Sequence, residues 1–147
     1  MLERIGSIIR AKRPEIWSVP PDATVYAAIA LMAEKGIGAV LVISEGRLAG
    51  IVSERDYARK VILQGRSSKE TRVDEIMTSS LVTVTPDHSV DECMRIVTQN
   101  RIRHLPVLDR GDLVGIVSIG DLVNAVIADQ EHTINQLQTY IGSQYPA

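Results

Sequence analysis

The sequence has no phenylalanine, a single tryptophan and a single cysteine. A hydrophobic core without phenylalanine must be built from valine, isoleucine, leucine, alanine and methionine. The lone Cys93 excludes an intramolecular disulfide and is typical of a reducing compartment. Apolar runs such as residues 39–43 are far too short to cross a bilayer, and residues 1–13 lack the apolar stretch of a signal peptide. We therefore expect a cytoplasmic protein without a membrane partner.

The sequence also lacks a large net charge. It has 16 lysines and arginines and 18 acidic residues, for a net charge of −2. Without a global basic field, nucleic acid is not expected as the main partner. With 147 residues, of which 45% are hydrophobic, the chain is long enough to bury a substantial core. These properties are typical of a globular α/β protein.

Catalytic and metal-ligating patterns are missing as well. His88, His104 and His132 fall on a predicted turn, strand and helix without the spacing of metal ligands. Cys93 lies on the apolar face of a predicted helix, where a buried, inert thiol is expected. There is no glycine-rich Walker loop. We therefore expect no catalytic residues, no metal site and no enzymatic activity.

What the sequence does contain is an internal repeat. Residues 19–57 align with residues 84–122 at a constant offset of 65, without a gap. So many identities in one register indicate a duplicated unit. The identical pairs include Val19/Val84, Pro21/Pro86, Asp22/Asp87, Val25/Val90, Ile37/Ile102, Val42/Val107, Gly46/Gly111, Leu48/Leu113, Gly50/Gly115, Ile51/Ile116, Val52/Val117, Ser53/Ser118 and Asp56/Asp121.

Each unit is predicted to have the order β-α-β-β-α. Thr24 and Ser89 occupy N-cap positions before helical apolar patterns, and Ser89 with Glu92 has the spacing of a capping box. Two β-rich runs joined by a polar, glycine-containing turn then predict a hairpin in each unit. The predicted strands are residues 39–43, 48–52, 105–108 and 113–117, with short strands before each Pro-Asp, the second at 81–84.

A second helix is predicted to begin near Asp56 in the first unit and near Asp121 in the second. The apolar residues expected to face inward are Tyr57, Ala58, Val61, Ile62, Leu122, Val123, Val126 and Ile127. We assign residues 1–66 to repeat 1 with an N-terminal helix, 67–128 to repeat 2, and 129–147 to a C-terminal helix. Such small units are expected to pack sheet to sheet with pseudo-twofold symmetry, forming two clefts. The C-terminal helix is either a homodimer contact, through Ile134, Leu137 and Ile141, or docked on its own chain.

Residues 50–56 (GIVSERD) and 115–121 (GIVSIGD) resemble the G-h-h-[ST]-x-x-D signature of CBS domains, where h is an apolar residue. Residues 103–107 (RHLPV) look like the strand start that often accompanies it. The resemblance covers residues 8–128 and is closest to stand-alone bacterial tandem CBS-domain proteins of signal transduction. It implies a pair that binds AMP, ATP, NAD or S-adenosylmethionine between the repeats and signals occupancy to an effector partner.

The residues themselves support such a site. A strand that ends in serine and turns into a helix exposes backbone N–H groups to a phosphate. An acid at that position accepts hydrogen bonds from both hydroxyls of a ribose. We therefore expect Asp56 and Asp121 to bind the ribose. Ser53, Ser118 and the neighbouring amides are expected to lie nearer the phosphate. The alternative is that both acids only cap helices.

The copies are not equivalent, because Arg103-His104 in the second stands where the first has Gly38-Ala39. The resemblance implies that the basic pair approaches phosphates, whose geometry suits arginine. The small Gly38-Ala39 surface suits an adenine ring. The resemblance also implies that each cleft takes base contacts from one repeat and the ribose acid from the other. The first predicted cleft combines Trp17, Ser18, Ile37, Gly38 and Ala39 with Arg103, His104, Ser118, Gly120 and Asp121; the second combines Ser53, Arg55 and Asp56 with residues 78–83, ending at Thr83.

Three assignments stay open at this level. Trp17 either stacks on a base or anchors a core or interface. Lys12 and Arg13 either reach a phosphate or form a solvated basic turn. The chain is either an adenine-nucleotide sensor or an interaction module with vestigial clefts and no ligand.

Overall fold

The computed structural model describes residues 3–12 and 16–144, with side chains described up to residue 139. The described residues form two compact units. The first-repeat unit holds residues 16–82, and the second-repeat unit holds residues 3–12 together with 83–144. In chain order the elements are α1 (Ile5–Lys12), β1 (Ser18–Val19), α2 (Val25–Lys35), β2 (Ala39–Ser44), β3 (Arg47–Ser53), α3 (Glu54–Lys60), α4 (Val90–Asn100), β4 (His104–Asp109), β5 (Asp112–Ser118) and α5 (Ile119–Gln144), with 3₁₀ turns at Ile62–Gln64 and Val73–Glu75.

Both predicted hairpins are present. In the first-repeat unit β2 pairs antiparallel with β3, and β1 adds to β2 in parallel. In the second-repeat unit β4 pairs antiparallel with β5. Each hairpin has a bulge at the same place, after Val42 and after Val107, which are 65 residues apart. The duplication therefore extends to the irregularities of the strands.

The predicted caps at the start of the first long helix in each unit are confirmed. The Thr24 hydroxyl accepts a hydrogen bond from the Ala27 amide at 3.1 Å and caps α2. Ser89 and Glu92 form the predicted capping box of α4, each side chain accepting from the other residue's amide. Each cap satisfies amides that the helix itself leaves unpaired.

The cores are aliphatic, as the absence of phenylalanine requires. In the first-repeat unit the buried cluster is Val19, Val25, Ala28, Met32, Val40, Val42, Val52, Val61, Val73 and Ile76. The buried core residues of the second-repeat unit include Ile5, Ile9, Val84, Val90, Cys93, Val97, Leu105, Val107, Val117 and Leu122. Helix faces and strands therefore close one apolar core in each unit.

Two local predictions were wrong in extent. The predicted strand 81–84 is reduced to a single parallel bridge, between Val84 and Val107. Ile62, Val123 and Ile127, expected to face inward, are exposed. Ile62 lies outside the predicted helix, because α3 ends at Lys60 and a 3₁₀ turn follows.

The two compact units do not follow the order of the chain, because residues 3–12 belong to the second-repeat unit. Helix α1 packs on the second repeat, where the amides of Ile5 and Gly6 donate to the His88 and Pro86 carbonyls, both at 3.0 Å. A side chain in place of Gly6 would bring its Cβ within 3.1 Å of Pro86, so glycine permits this close approach. The described residues of 67–82 pack instead on the first repeat, where Thr78 bridges to Ile51.

Candidate functional site

The strand-to-helix turn of the second repeat is closed by Ser118 and Asp121. The Asp121 amide donates to the Ser118 hydroxyl at 3.1 Å, and the Ser118 amide donates to Asp121 Oδ2 at 2.8 Å. This reciprocal pair is the arrangement that Ser-x-x-Asp produces at the beginning of a helix. Asp121 therefore caps α5, and its carboxylate stands at the positive end of a 26-residue helix.

A lysine of α1 binds the same carboxylate. Lys12 Nζ lies 2.8 Å from Asp121 Oδ2 and also donates to the Ile116 carbonyl at 3.4 Å. Burial alone would raise the pKa of Asp121, but the bonds from Lys12 and Ser118 outweigh it and hold the pKa below the ordinary 3.8. The carboxylate is therefore ionised at neutral pH.

The first repeat has the same cap at the start of α3. The Ser53 amide donates to Asp56 Oδ2 at 2.9 Å, and the Asp56 amide donates to the Ser53 hydroxyl at 3.1 Å. Lys60, one turn further along α3, lies 3.1 Å from Asp56 Oδ1 and donates to the Ile76 carbonyl at 2.8 Å. Each signature aspartate therefore caps a helix and forms an ion pair with a lysine.

The two lysines come from different parts of the repeat. Position 125, which matches Lys60 at the offset of 65, is alanine. The second repeat takes its lysine from α1 instead, the segment that precedes the first repeat in sequence. Lys60 was not among the predicted site residues, although its spacing of four residues from Asp56 is a local signal for an ion pair.

Arg103 and His104 lie beside the Asp121 cap. His104 pairs with Ser118 across β4 and β5, and the Ile119 amide donates to the Arg103 carbonyl at 2.8 Å. Gly120 is exposed in the first turn of α5. The structure therefore brings together the five second-repeat residues predicted for the first cleft: Arg103, His104, Ser118, Gly120 and Asp121.

The matching positions of the first repeat are held in the same way. Ala39 pairs with Ser53 across β2 and β3, and the Glu54 amide donates to the Gly38 carbonyl at 3.0 Å. Arg55 and Asp56 follow on α3, both half-buried. The predicted residues of each repeat thus gather where its hairpin meets its second helix.

Trp17 takes part in the packing of the first-repeat unit. Its carbonyl accepts from the Leu41 amide at 3.2 Å, next to Ser18, which pairs with Leu41 in register. Like Ile37, the half-buried Trp17 packs against the unit's core, and Lys35 Nζ lies 4.2 Å from the centroid of its ring. These contacts favour the alternative in which Trp17 is a core anchor, with one face engaged by a lysine.

Some predicted residues are not brought together by these observations. Thr83 belongs to the second-repeat unit, whereas Ser53, Arg55 and Asp56 belong to the first-repeat unit. The assignment of clefts that draw on both repeats therefore stays a prediction. Arg13 lies outside the described residues.

The remaining reactive side chains have local roles. His88 Nδ1 accepts from the Thr85 amide at 3.0 Å, which closes the turn before α4. Cys93 is buried, and burial, with a smaller effect of Glu92, raises the pKa of its thiol to about 11. Over residues 3–12 and 16–144, no group of three His, Cys, Asp or Glu side chains is placed to hold a metal ion. None of the helices in the same ranges has the length and apolar character needed to cross a membrane.

Comparison with curated proteins gives relatives along most of the chain. The chain is 45% identical over 135 residues to the CBS domain-containing protein CBSX3, mitochondrial, of Arabidopsis thaliana, with 88% of this chain and 65% of that protein covered. It thus spans just under two thirds of the plant protein's length. It is 37% identical over 118 residues to the CBS domain-containing protein YhcV of Bacillus subtilis, covering 80% of this chain and 84% of YhcV.

Solved structures of CBS-domain proteins are also similar to this chain. A putative signal-transduction protein with CBS domains from Burkholderia ambifaria is 58% identical, with a TM-score of 0.83 over 86% of this chain and 96% of that one. The CBS domain pair of protein MJ0100, in complex with 5′-methylthioadenosine and S-adenosyl-L-methionine, shares the fold with a TM-score of 0.77 at 22% identity, over 88% of this chain and 99% of that one. The family model of the CBS domain matches twice, at residues 5–62 and 73–128. The chain therefore belongs to the CBS-domain family, as a tandem pair.

Proposed function

We propose that this chain is a regulatory module that binds an adenine nucleotide (AMP, ATP or NAD) and signals its occupancy to a partner protein. The observation that carries the proposal is the cluster around Asp121. An ionised carboxylate, a helix N-terminus and the basic Arg103-His104 pair meet there in one unit. Such a set offers an acceptor for hydroxyl groups beside donors for an anion.

The charges at this cluster suit a nucleotide. The Asp121 side chain is 21% exposed, so it is not closed off from solvent. Lys12 offsets the charge of that carboxylate, which leaves the positive charge of Arg103 to favour a phosphate. The assignment of the adenine ring to Gly38-Ala39, from the other repeat, remains part of the proposal.

Asp56 is proposed as the second, weaker sugar position. Ser53, Arg55 and Asp56 repeat the arrangement, but Gly38-Ala39 replaces the basic pair beside them. Helix α3 is also only seven residues long, compared with 26 for α5, so it offers less of a dipole. We therefore expect the Asp121 position to dominate binding.

A thermal-shift panel with AMP, ADP, ATP, NAD, NADH and S-adenosylmethionine tests the proposal. A ligand at 100 times its Kd is expected to stabilise the protein by about 2.7 kcal/mol. Asp121→Asn should abolish the shift for the ligand that gives it. The matched control is Glu92→Gln, which alters the capping carboxylate of α4 outside the proposed site. The proposal fails if no compound shifts the midpoint, or if Asp121→Asn and Glu92→Gln retain the same shift.

The second candidate function is an interaction module without a ligand. One observation favours it: capping and lysine pairing together already account for a role of Asp56 and Asp121. In that case no compound of the thermal-shift panel is expected to stabilise the protein.

We further propose that α5 forms a homodimer contact. Ile127, Ile134 and Leu137 are exposed along one side of this helix. The described side chains from residue 127 to residue 139 are all exposed, which disfavours the alternative of a helix docked on its own chain. The cytoplasmic location expected from the sequence stays a prediction.

A further inference from the structure

Lys12 and Ser118 both donate hydrogen bonds to the same oxygen of the Asp121 carboxylate. Oδ2 accepts from the Ser118 amide at 2.8 Å and from Lys12 Nζ at 2.8 Å. A carboxylate oxygen has two lone pairs, so two donors satisfy it. A ribose that donates one hydroxyl to each carboxylate oxygen therefore needs a donor to leave Oδ2. The Ser118 amide is fixed by the cap, and Lys12 is the donor able to move.

We propose that Lys12 is a latch, which competes with the ribose for Asp121 and couples nucleotide binding to the end of helix α1. This inference rests on the proposed function, because it requires a ribose at Asp121. Binding of the nucleotide displaces Lys12 from Oδ2 and releases the last turn of α1. In sequence, this turn is followed by the first-repeat unit.

The two ends of α1 are held differently. At its beginning, the amides of Ile5 and Gly6 bond to backbone carbonyls of the second repeat, and Ile5 is fully buried. At its end, Arg10 and Lys12 are exposed, and Lys12 reaches the second repeat through its side chain. Loss of the Lys12 contact therefore loosens the turn beyond Ile9, the last buried residue of α1, while the beginning of the helix stays anchored.

The first repeat has no equivalent latch. Lys60 lies on the same helix as Asp56 and bonds to Oδ1, whereas Oδ2 accepts from the Ser53 amide. Displacing Lys60 therefore moves a side chain within one helix and releases no separate helix. The coupling is specific to Asp121, because position 125 is alanine and the lysine comes from α1.

The test compares AMP with 2′-deoxy-AMP, which carries the same phosphate and one ribose hydroxyl fewer. Their Kd values are measured by calorimetry for wild type, Lys12→Met and Arg10→Met. Lys12→Met keeps the aliphatic stem, and Arg10→Met removes one positive charge from α1 without touching Asp121. We expect Lys12→Met to bind AMP about two- to fivefold more tightly, the range that a partly exposed ion pair supports, with 2′-deoxy-AMP unchanged. Arg10→Met should leave the ratio of the two Kd values as in wild type.

Hydrogen exchange supplies a second readout. AMP should accelerate amide exchange at residues 9–12 of the wild type, and Lys12→Met should show that faster exchange without AMP. Slower exchange at residues 9–12 on addition of AMP would overturn the latch.

The outcomes separate the latch from the proposed function. If wild type binds AMP through Asp121 but Lys12→Met weakens AMP and 2′-deoxy-AMP equally, Lys12 is a phosphate contact and the latch is wrong. The latch is also wrong if the ratio of the Kd values for AMP and 2′-deoxy-AMP is the same in Lys12→Met as in wild type. If wild type and Asp121→Asn both fail to bind AMP, the nucleotide site itself is refuted for AMP, and the latch with it.

Discussion

Asp121→Asn isolates the charge of the carboxylate at the start of α5. Asparagine has nearly the same shape, and its amide oxygen can still accept from the Ser118 amide, which bonds Oδ2 at 2.8 Å in the wild type. The substitution removes the ion pair with Lys12, whose Nζ lies 2.8 Å from the same oxygen. It also removes a negative charge from the positive end of the helix.

The expected cost follows from these two losses. A partly exposed ion pair contributes about 0.2–1 kcal/mol. A charge that complements a helix dipole contributes about 0.3–1 kcal/mol. We therefore expect the free energy of unfolding to fall by about 1 kcal/mol at neutral pH, which lowers the midpoint of thermal unfolding by about 2–4 °C for a chain of this size.

The pH dependence tests whether charge is the cause. Burial would raise the pKa of Asp121, but Lys12 and Ser118 hold it below 3.8, its ordinary value. A lowered pKa stabilises the folded state fully above 3.8, and that stabilisation is lost as pH falls through the folded-state pKa. The difference between wild type and Asp121→Asn, followed by far-UV circular dichroism, should therefore be constant from pH 7 to about pH 5 and disappear at lower pH. A difference of equal size at about pH 2 would refute the reasoning.

Further predictions concern packing, reactivity and assembly. Gly50→Ala should lower stability to urea by about 1–3 kcal/mol, because the new Cβ would lie 2.8 Å from a backbone carbonyl oxygen. Gly120→Ala should raise it by about 0.5–1 kcal/mol, since its Cβ would meet a serine hydroxyl at an ordinary 3.5 Å and alanine favours a helix; a loss would contradict this. Cys93, with a thiol pKa of about 11, should react with a disulfide reagent at pH 8 no faster than the protein unfolds. Ile134→Glu with Leu137→Glu should halve the mass seen by light scattering at unchanged thermal stability, because these side chains are 52% and 57% exposed; a large fall in the unfolding midpoint would instead indicate a helix packed on its own chain.

The fold was predictable because its signals are local and occur twice. The capping residues Thr24 and Ser89 mark the beginnings of α2 and α4, and the structure confirms both. Each hairpin is identified by a glycine-containing turn between two β-rich runs, and Gly46 and Gly111 take the positive φ that such turns need. A second copy at a fixed offset repeats each signal, which makes it far more specific than one copy would be.

The parts that sequence analysis did not predict depend on contacts between distant residues. Lys12 and Asp121 are 109 residues apart, and no periodic pattern relates them. The packing of α1 on the second repeat has the same origin, since amphipathic spacing predicts a buried face but does not say which surface covers it. Val123 lies at a helical apolar spacing and was therefore expected to be buried, but it is exposed.

The asymmetry of the pair therefore has a second component beyond the Arg103-His104 difference. Duplication gave both repeats the same Ser-x-x-Asp cap, but the lysine on the cap is within the helix for Asp56 and on a separate helix for Asp121. A ligand shifts an equilibrium between two conformations only when it binds one of them more tightly. Competition between a ribose and Lys12 supplies such a difference in affinity, because the ribose binds best when the last turn of α1 is released. Lys60 creates no such difference, so regulation through α1 is expected from the Asp121 position even if nucleotides bind at both.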